Sequence, residues 1–230
     1  MAPKTVAKGM LGVWTDSDPG LEAEFNEWYN REHVNERADN PGFLNSRRYR
    51  NVSASGKPRY MALYDLEDVS VLHAPFYKKA QENPTAGTRK MMKAFLNIIR
   101  SEFVIRHQVG RGHGATVIAL RREGRGLPDP KFARWLGNRA MKAILKEPGV
   151  TGATYVETEN QTEPPETKES RMRPTRDRIA DWALFVEGTE PPLVRAAFDK
   201  ILSKEALAKN GAGNNLRIGT YKFLYGTDPE

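Results

Sequence analysis

The sequence predicts an α+β fold made of two tandem copies of one unit, and three observations carry that expectation. A shift of 107 positions lays Phe25 on Phe132, Trp28 on Trp135 and Pro41-Gly42 on Pro148-Gly149 with no gap. Tryptophan occurs only four times in the chain, so a matched pair argues against chance. Strand-like and helix-like patterns also follow one another in the same order in both windows.

Each element has its own reason. Met10 to Trp14 and Val117 to Leu120 read as short buried strands. Asp18-Pro19-Gly20 and Leu127-Pro128-Asp129-Pro130 are turns that lead into helices. The first helix carries Phe25, Trp28 and Tyr29 at i, i+3, i+4; the second carries Phe132, Trp135, Leu136 and Met141. Both stop before Pro-Gly. Second strands follow at Phe43 to Arg50 and Val150 to Glu157, and third strands at Met61 to Tyr64 and Trp182 to Phe185. The third pair is offset by 121 positions rather than 107, so the second copy holds 14 additional residues before it. These fall within Glu157 to Arg178, an aperiodic stretch rich in Glu, Thr, Pro and Arg that is expected to form a mobile extension. Further helix is expected over Ser70–Glu82 and Thr88–Ser101 in the first copy and Pro191–Lys209 in the second. Phe103–Val109 and Arg217–Tyr225 then close the copies as strands.

The order β-α-β-β-α-β is that of the ferredoxin-like unit, an antiparallel sheet with helices on one side. The other face of such a sheet is bare and must be buried. Two copies in one chain can cover each other. The expected fold is therefore two tandem ferredoxin-like units, residues 1–110 and 111–230, packed sheet to sheet as a barrel-type pseudo-dimer. Two chains pairing copy to copy, as a homodimer, would bury the same faces.

Composition narrows the function. The net charge is +7 and the isoelectric point near 9.5, yet 29 acidic residues are scattered among the basic ones. That mixture describes a solvated surface, with no basic face interleaved with aromatics for nucleic acid. The same positive field would favour an anionic or phenolic small substrate. The chain has no cysteine, which excludes disulfides, thiolate catalysis and cysteine-ligated metals. No apolar run reaches the roughly 18 residues of a membrane span, and the first residues lack a secretory apolar region. A cytoplasmic protein is expected.

The stretch Phe25-Asn26-Glu27-Trp28-Tyr29-Asn30-Arg31-Glu32-His33-Val34 resembles the EthD-like branch of the dimeric α/β-barrel superfamily. So do Pro41-Gly42-Phe43, Arg47-Arg48-Tyr49 and Pro58 to Leu66. The resemblance lies in the first copy; the second keeps the fold pattern and little of the motif. It implies a barrel with a small-molecule pocket. The chemistries it implies include decarboxylases, dehydratases and cyclases on aromatic or polyketide-like compounds, lactone isomerases and cofactor-free monooxygenases, with haem binders among the members.

The two copies also serve as a control on each other. At the 107 shift Tyr29 becomes Leu136, Glu32 becomes Arg139 and His33 becomes Ala140, while Phe25 and Trp28 keep aromatic partners. A fold constraint acts on both copies; a site constraint need act on one only. Tyr29, Glu32 and His33 stand at i, i+3, i+4 and share a helix face. His33 is the expected acid/base, Glu32 its orienting partner and Tyr29 a hydrogen-bond donor. On the second strand only Arg47/Tyr49 or Arg48/Arg50 share a face, which leaves open which arginine meets a substrate anion. Trp28, Arg47, Arg48, Tyr49, Tyr64, Tyr77 and His107 are the expected substrate-binding residues, His107 through a place inside the barrel. No HExxH, DxDxDG or GxSxG is present, and Gly110 to Gly114 reads as a linker. The expectation is a cofactor-independent lyase or isomerase on an aromatic or polyketide-like molecule. The alternatives are a monooxygenase of the same barrel, with haem or without cofactor, and a non-catalytic binder. No metal site has spacing in its favour.

Overall fold

The computed structural model describes residues 6–124, 126–158 and 166–229. Eight antiparallel strands close a barrel: β1 (Gly9–Ser17), β2 (Phe43–Asn51), β3 (Tyr60–Leu66), β4 (Phe95–Gly110), β5 (Thr116–Glu123), β6 (Val150–Thr158), β7 (Ala180–Gly188) and β8 (Leu216–Thr227). The order around it is β1-β3-β2-β8-β5-β7-β6-β4. The first four strands lie side by side as β4-β1-β3-β2 and the last four as β8-β5-β7-β6, the same order counted within each half. The seams are β2 against β8 and β4 against β6. The barrel therefore closes within one chain, and no edge strand is left to be paired.

The pleat divides each strand between lumen and helix layer. Met10 and Trp14 of β1, Met61 and Leu63 of β3, and Val117 and Ala119 of β5 meet Ala183 and Phe185 of β7 in an apolar cluster in the lumen, shared by both halves. Trp14 stacks on Phe185 with ring centroids 5.9 Å apart. Leu11, Ala62, Tyr64 and Ile98 point outward, under the helices of the first half. These helices are α1 (Glu22–Trp28), α2 (Val34–Ala38), α3 (Pro75–Glu82) and α4 (Ala86–Met91). The second half has α5 (Pro130–Trp135), α6 (Met141–Ile144), α7 (Lys168–Arg171), α8 (Pro191–Ile201) and α9 (Lys204–Lys209), with its own outer core.

Local chemistry explains the boundaries. Gly42 and Gly149, which follow the first helix of each half, hold φ of +87° and +79°, a conformation costly for any residue with a Cβ. The matched Pro-Gly pairs meet that need. The helix expected over Thr88–Ser101 is shorter: α4 and a 3-10 turn, Met92–Ala94, end where β4 begins at Phe95. The run Phe95-Leu96-Asn97-Ile98-Ile99 pairs with β1 around a kink at Asn97, whose φ is +53°. Sheet pairing overrides helical pattern there. The helix expected over Ser70–Glu82 is broken before Pro75 into a 3-10 turn, Val69–His73, and α3. The expected Pro191–Lys209 helix is two helices, with Ser203 capping α9 through its hydroxyl.

The expected mobile extension is corrected in part. Residues 159–165 lie outside the described residues. From 166 onward the segment is ordered against the first half. Thr167 and Ser170 form a capping box for α7, and Arg178 bonds backbone to backbone with Ile98 and Arg100 of β4. Among the described residues no helix is long and apolar enough to cross a membrane.

Candidate functional site

The site grows out of the first helix. The Asp18 carboxylate caps the turn at Gly20, and Glu22 and Glu24 place negative charge at the helix start. After Trp28 the helix widens into a π turn, Tyr29–His33, in which the Val34 N–H reaches back to the Tyr29 carbonyl. Such turns often mark functional sites. Here the second half has one too, at Leu136–Ala140, 107 positions on. The turn thus belongs to the architecture, and only its side chains distinguish the two halves.

His33 is buried, its side chain 10% exposed, with ring centroids of Trp28 at 4.6 Å, Tyr29 at 4.9 Å and Phe95 at 6.4 Å. Burial, then the charges of Arg37, Arg173 and Arg48, hold its pKa well below the ordinary imidazole value. It is therefore a neutral base near pH 7. Its Nδ1 has no hydrogen-bond partner among the described residues, and the nearest carboxylate oxygen, on Glu36, is 4.0 Å away, beyond bonding distance. Burial raises the Glu36 carboxyl in turn.

Tyr29 and Tyr64 face each other with hydroxyls 3.3 Å apart. Burial pushes both phenols upward, so both remain hydroxyl donors. With His33, Arg37, Tyr77, Gln81, Arg100, Glu169 and Arg173 they surround a cavity of about 30 Å³, space for one or two waters. Arg37 donates to Glu169 and lies over the Tyr77 ring, 5.5 Å from its centroid. Arg100 is held by Glu102 at 2.7 Å. Arg37 Nη1 and Arg173 Nε have no partner among the described residues. A second cavity, of about 340 Å³, adjoins the first and shares Gln81, Arg100 and Arg173 with it. Its histidine, His73, is engaged by Glu102 at 3.0 Å.

Of the expected residues, the fold brings Tyr29, His33, Tyr64 and Tyr77 together at the cavity, with Trp28 packed on the His33 ring. Five others are placed elsewhere. Glu32 turns away and accepts from Thr85 at the start of α4, so it does not orient His33. The π turn alters the angular spacing that a regular helix would give those positions. Arg48 lies wholly buried beneath α1 and outside the cavity lining. It donates to Asn26 at 2.7 Å and Asn30 at 2.8 Å, with its guanidinium 4.3 Å from the Tyr29 ring centroid. Arg47 and Tyr49 take the opposite face. Arg47 Nη2 donates to both carboxylate oxygens of Asp65, at 2.9 and 3.0 Å, and Nη1 contacts Glu187 and His113. The inward arginine thus binds the protein's own carboxylates rather than a substrate's. Tyr49 is lumen core. His107 lies against the π turn of the second half, beside Gly137 and stacked on Tyr155, not inside the barrel.

Sequence reasoning missed Arg37, Arg100, Glu169 and Arg173. Arg37 stands four residues beyond His33, so extending the stripe would have found it. Glu169 and Arg173 come from the second half, in the segment after β6, and no periodic signal announces them. The site is thus not the property of the first half alone.

A haem does not fit against His33, which is wedged among three aromatic rings beside a cavity of about 30 Å³, whereas pockets for larger organic ligands run to roughly 300 Å³ or more. Among the described residues no cluster of three metal-binding side chains occurs.

No family model matches the sequence, and no curated protein does. The fold, by contrast, has clear neighbours among solved structures. An anthrone oxidase-like protein superposes with a TM-score of 0.60 at 11% identity, over 98% of this chain and 94% of that one. A putative monooxygenase from Lactobacillus acidophilus NCFM gives 0.57 at 8% identity, over 94% of each chain. Another from Fusobacterium nucleatum gives 0.56 at 12% identity, over 96% of this chain and 95% of that one. At such identities the likeness concerns the fold alone, a closed eight-stranded antiparallel barrel with helices on its outside.

Proposed function

We propose that the chain is a cofactor-independent oxygenase that deprotonates an acidic C–H or O–H of an aromatic or polyketide-like small molecule and lets the resulting anion react with dioxygen. One observation carries this reading: a buried His33, held neutral and with Nδ1 unpartnered among the described residues, lines the same small cavity as Arg37 and Arg173, each of which has one unpartnered guanidinium N–H. Imidazole takes the proton, and the guanidinium and tyrosine donors stabilise the oxyanion that forms. The oxygenated edge of the substrate would enter the inner cavity, with the rest in the outer one once Arg173 and Gln81 give way. For an activated methylene the balance is CH2 plus O2 to C=O plus H2O. Two C–H bonds break, one oxygen atom becomes the carbonyl, and the other leaves as water with both hydrogens. No outside reductant is needed.

The lyase or isomerase expected from the sequence would share the proton step and dispense with oxygen. The oxidase and monooxygenase names of the fold neighbours favour the oxygenase. The same reading takes residues 1–110 and 111–230 as two repeats of one unit. The matching strand order and the π turns 107 positions apart support it.

The test is oxygen uptake with 1,8-dihydroxy-9-anthrone, whose methylene is acidic, followed with an electrode and by quinone absorbance. Uptake should match quinone formed, and His33→Gln should lower the rate by roughly a hundredfold or more. Turnover that persists under argon would point to the lyase or isomerase instead. An unaltered rate in His33→Gln would remove the proposed base.

A further inference from the structure

We infer that the inner cavity is an oxyanion site, built to receive the carboxylate or phenolate oxygen of its ligand between Arg37, Arg173 and His33. The inference deepens the proposed function by naming the ligand's charge, and it rests on the same cavity.

The donor inventory points one way. Three guanidinium groups line the cavity, against a single lining carboxylate, Glu169. Glu169 accepts from Arg37 Nη2 only, which leaves Arg37 Nη1 buried and unpartnered among the described residues. The Arg37 side chain is 3% exposed, so bulk water does not serve it. Arg173 is anchored through Nη1 to Asp177, and its Nε is likewise buried without a partner. The two tyrosine hydroxyls share one hydrogen bond, in which one donates and the other keeps its proton for a further acceptor. Two residues of one small cavity thus each hold a buried guanidinium N–H without a partner among the described residues, beside a single lining carboxylate, the inverse of a cation site. A neutral amide would leave the charge of three guanidinium groups set against one carboxylate. An acceptor-only oxygen edge completes the set.

Size sets a second limit. About 30 Å³ admits a carboxylate edge, a phenolate oxygen or a small anion such as formate, but no aromatic ring. The ring belongs in the adjoining cavity of about 340 Å³. Glu169 already supplies one negative charge from the second half, so it tunes the site: removing its charge should strengthen anion binding.

The experiment uses the full chain and sodium formate, at an ionic strength held with gluconate, which is too bulky for the cavity. Binding is read from the thermal midpoint and by calorimetry, with formamide as the neutral control. Formate should raise the midpoint with saturation while formamide does not. Glu169→Gln should bind formate roughly tenfold more tightly, and Arg173→Gln roughly tenfold more weakly, each a difference of about 1.4 kcal/mol. Equal shifts by formate and formamide would overturn the inference. So would a Glu169→Gln protein that folds and binds formate no better. If Glu169→Gln does not fold, the Arg173→Gln comparison decides alone. Formate binding without oxygen uptake would leave the oxyanion site standing and remove the oxygenase; uptake without formate binding would do the reverse.

Discussion

Arg37 and Glu169, 132 positions apart, form an ion pair inside the protein with each side chain only 3% exposed. One comes from the helix that carries His33, the other from α7 of the second half. Removing one partner of a buried pair leaves an uncompensated charge, which typically costs about 3–5 kcal/mol. Glu169→Leu alone is expected to lose that much stability in urea unfolding. Arg37→Met together with Glu169→Leu should recover most of it, because an apolar pair of similar volume often replaces such a bridge at little cost. A double variant as unstable as the sum of the singles would show that the two do not act as a pair.

The pH dependence of stability should report on His33. Its folded pKa is held below the usual imidazole value by burial first and by three arginines after that. The unfolded chain therefore takes up a proton at a pH where the folded chain does not. Stability is full above about pH 6.5 and falls as the pH drops from there toward the folded value. Glu36 works the other way at lower pH, since its raised carboxyl favours the protonated native form. The difference between wild type and His33→Gln isolates the imidazole. Between pH 7 and pH 5.5 the urea midpoint of the wild type should fall more steeply than that of the variant. Parallel slopes would mean that His33 titrates normally.

Trp14 stacks on Phe185 across the lumen, and the two belong to different halves. Trp14→Ala should destabilise the protein by about 3–5 kcal/mol, as expected for a buried aromatic. Amides of β5 and β7 should lose exchange protection together with those of β1 and β3, since the lumen cluster spans both halves. Retained protection in the second half alone would mean that the halves unfold separately.

At Gly137 an added Cβ would come within 2.6 Å of the His107 ring. Gly137→Ala is expected to cost about 1–3 kcal/mol through overpacking. His107→Ala in the same chain should relieve much of that in thermal melts. An equal loss with and without the histidine would point to a backbone origin.

Much of the architecture was legible because its signals are local. Phe25 and Trp28, repeated as Phe132 and Trp135, mark helices that pack on a sheet, and Pro-Gly marks their ends because the turn needs a positive φ. The loss of Tyr29 and His33 to Leu136 and Ala140 singled out two residues that do line the cavity. Glu32 was misplaced because nothing in the sequence distinguishes a π turn from a regular helical one. Strand parity offered Arg47 or Arg48 as the substrate's partner, and the fold committed each to the protein itself, Arg47 to Asp65 and Glu187, Arg48 to Asn26 and Asn30.

Taken alone, the sequence determined the recurring β-α-β-β-α-β order and the helix that presents Tyr29 and His33, because periodicity and turn residues act over a few positions. Only the tertiary structure decided that Glu169 and Arg173 would complete the cavity and that His33 would be neutral. Both depend on burial and on contacts between segments far apart in sequence, such as Arg37 with Glu169 and Arg173 over Phe95, which no local pattern encodes.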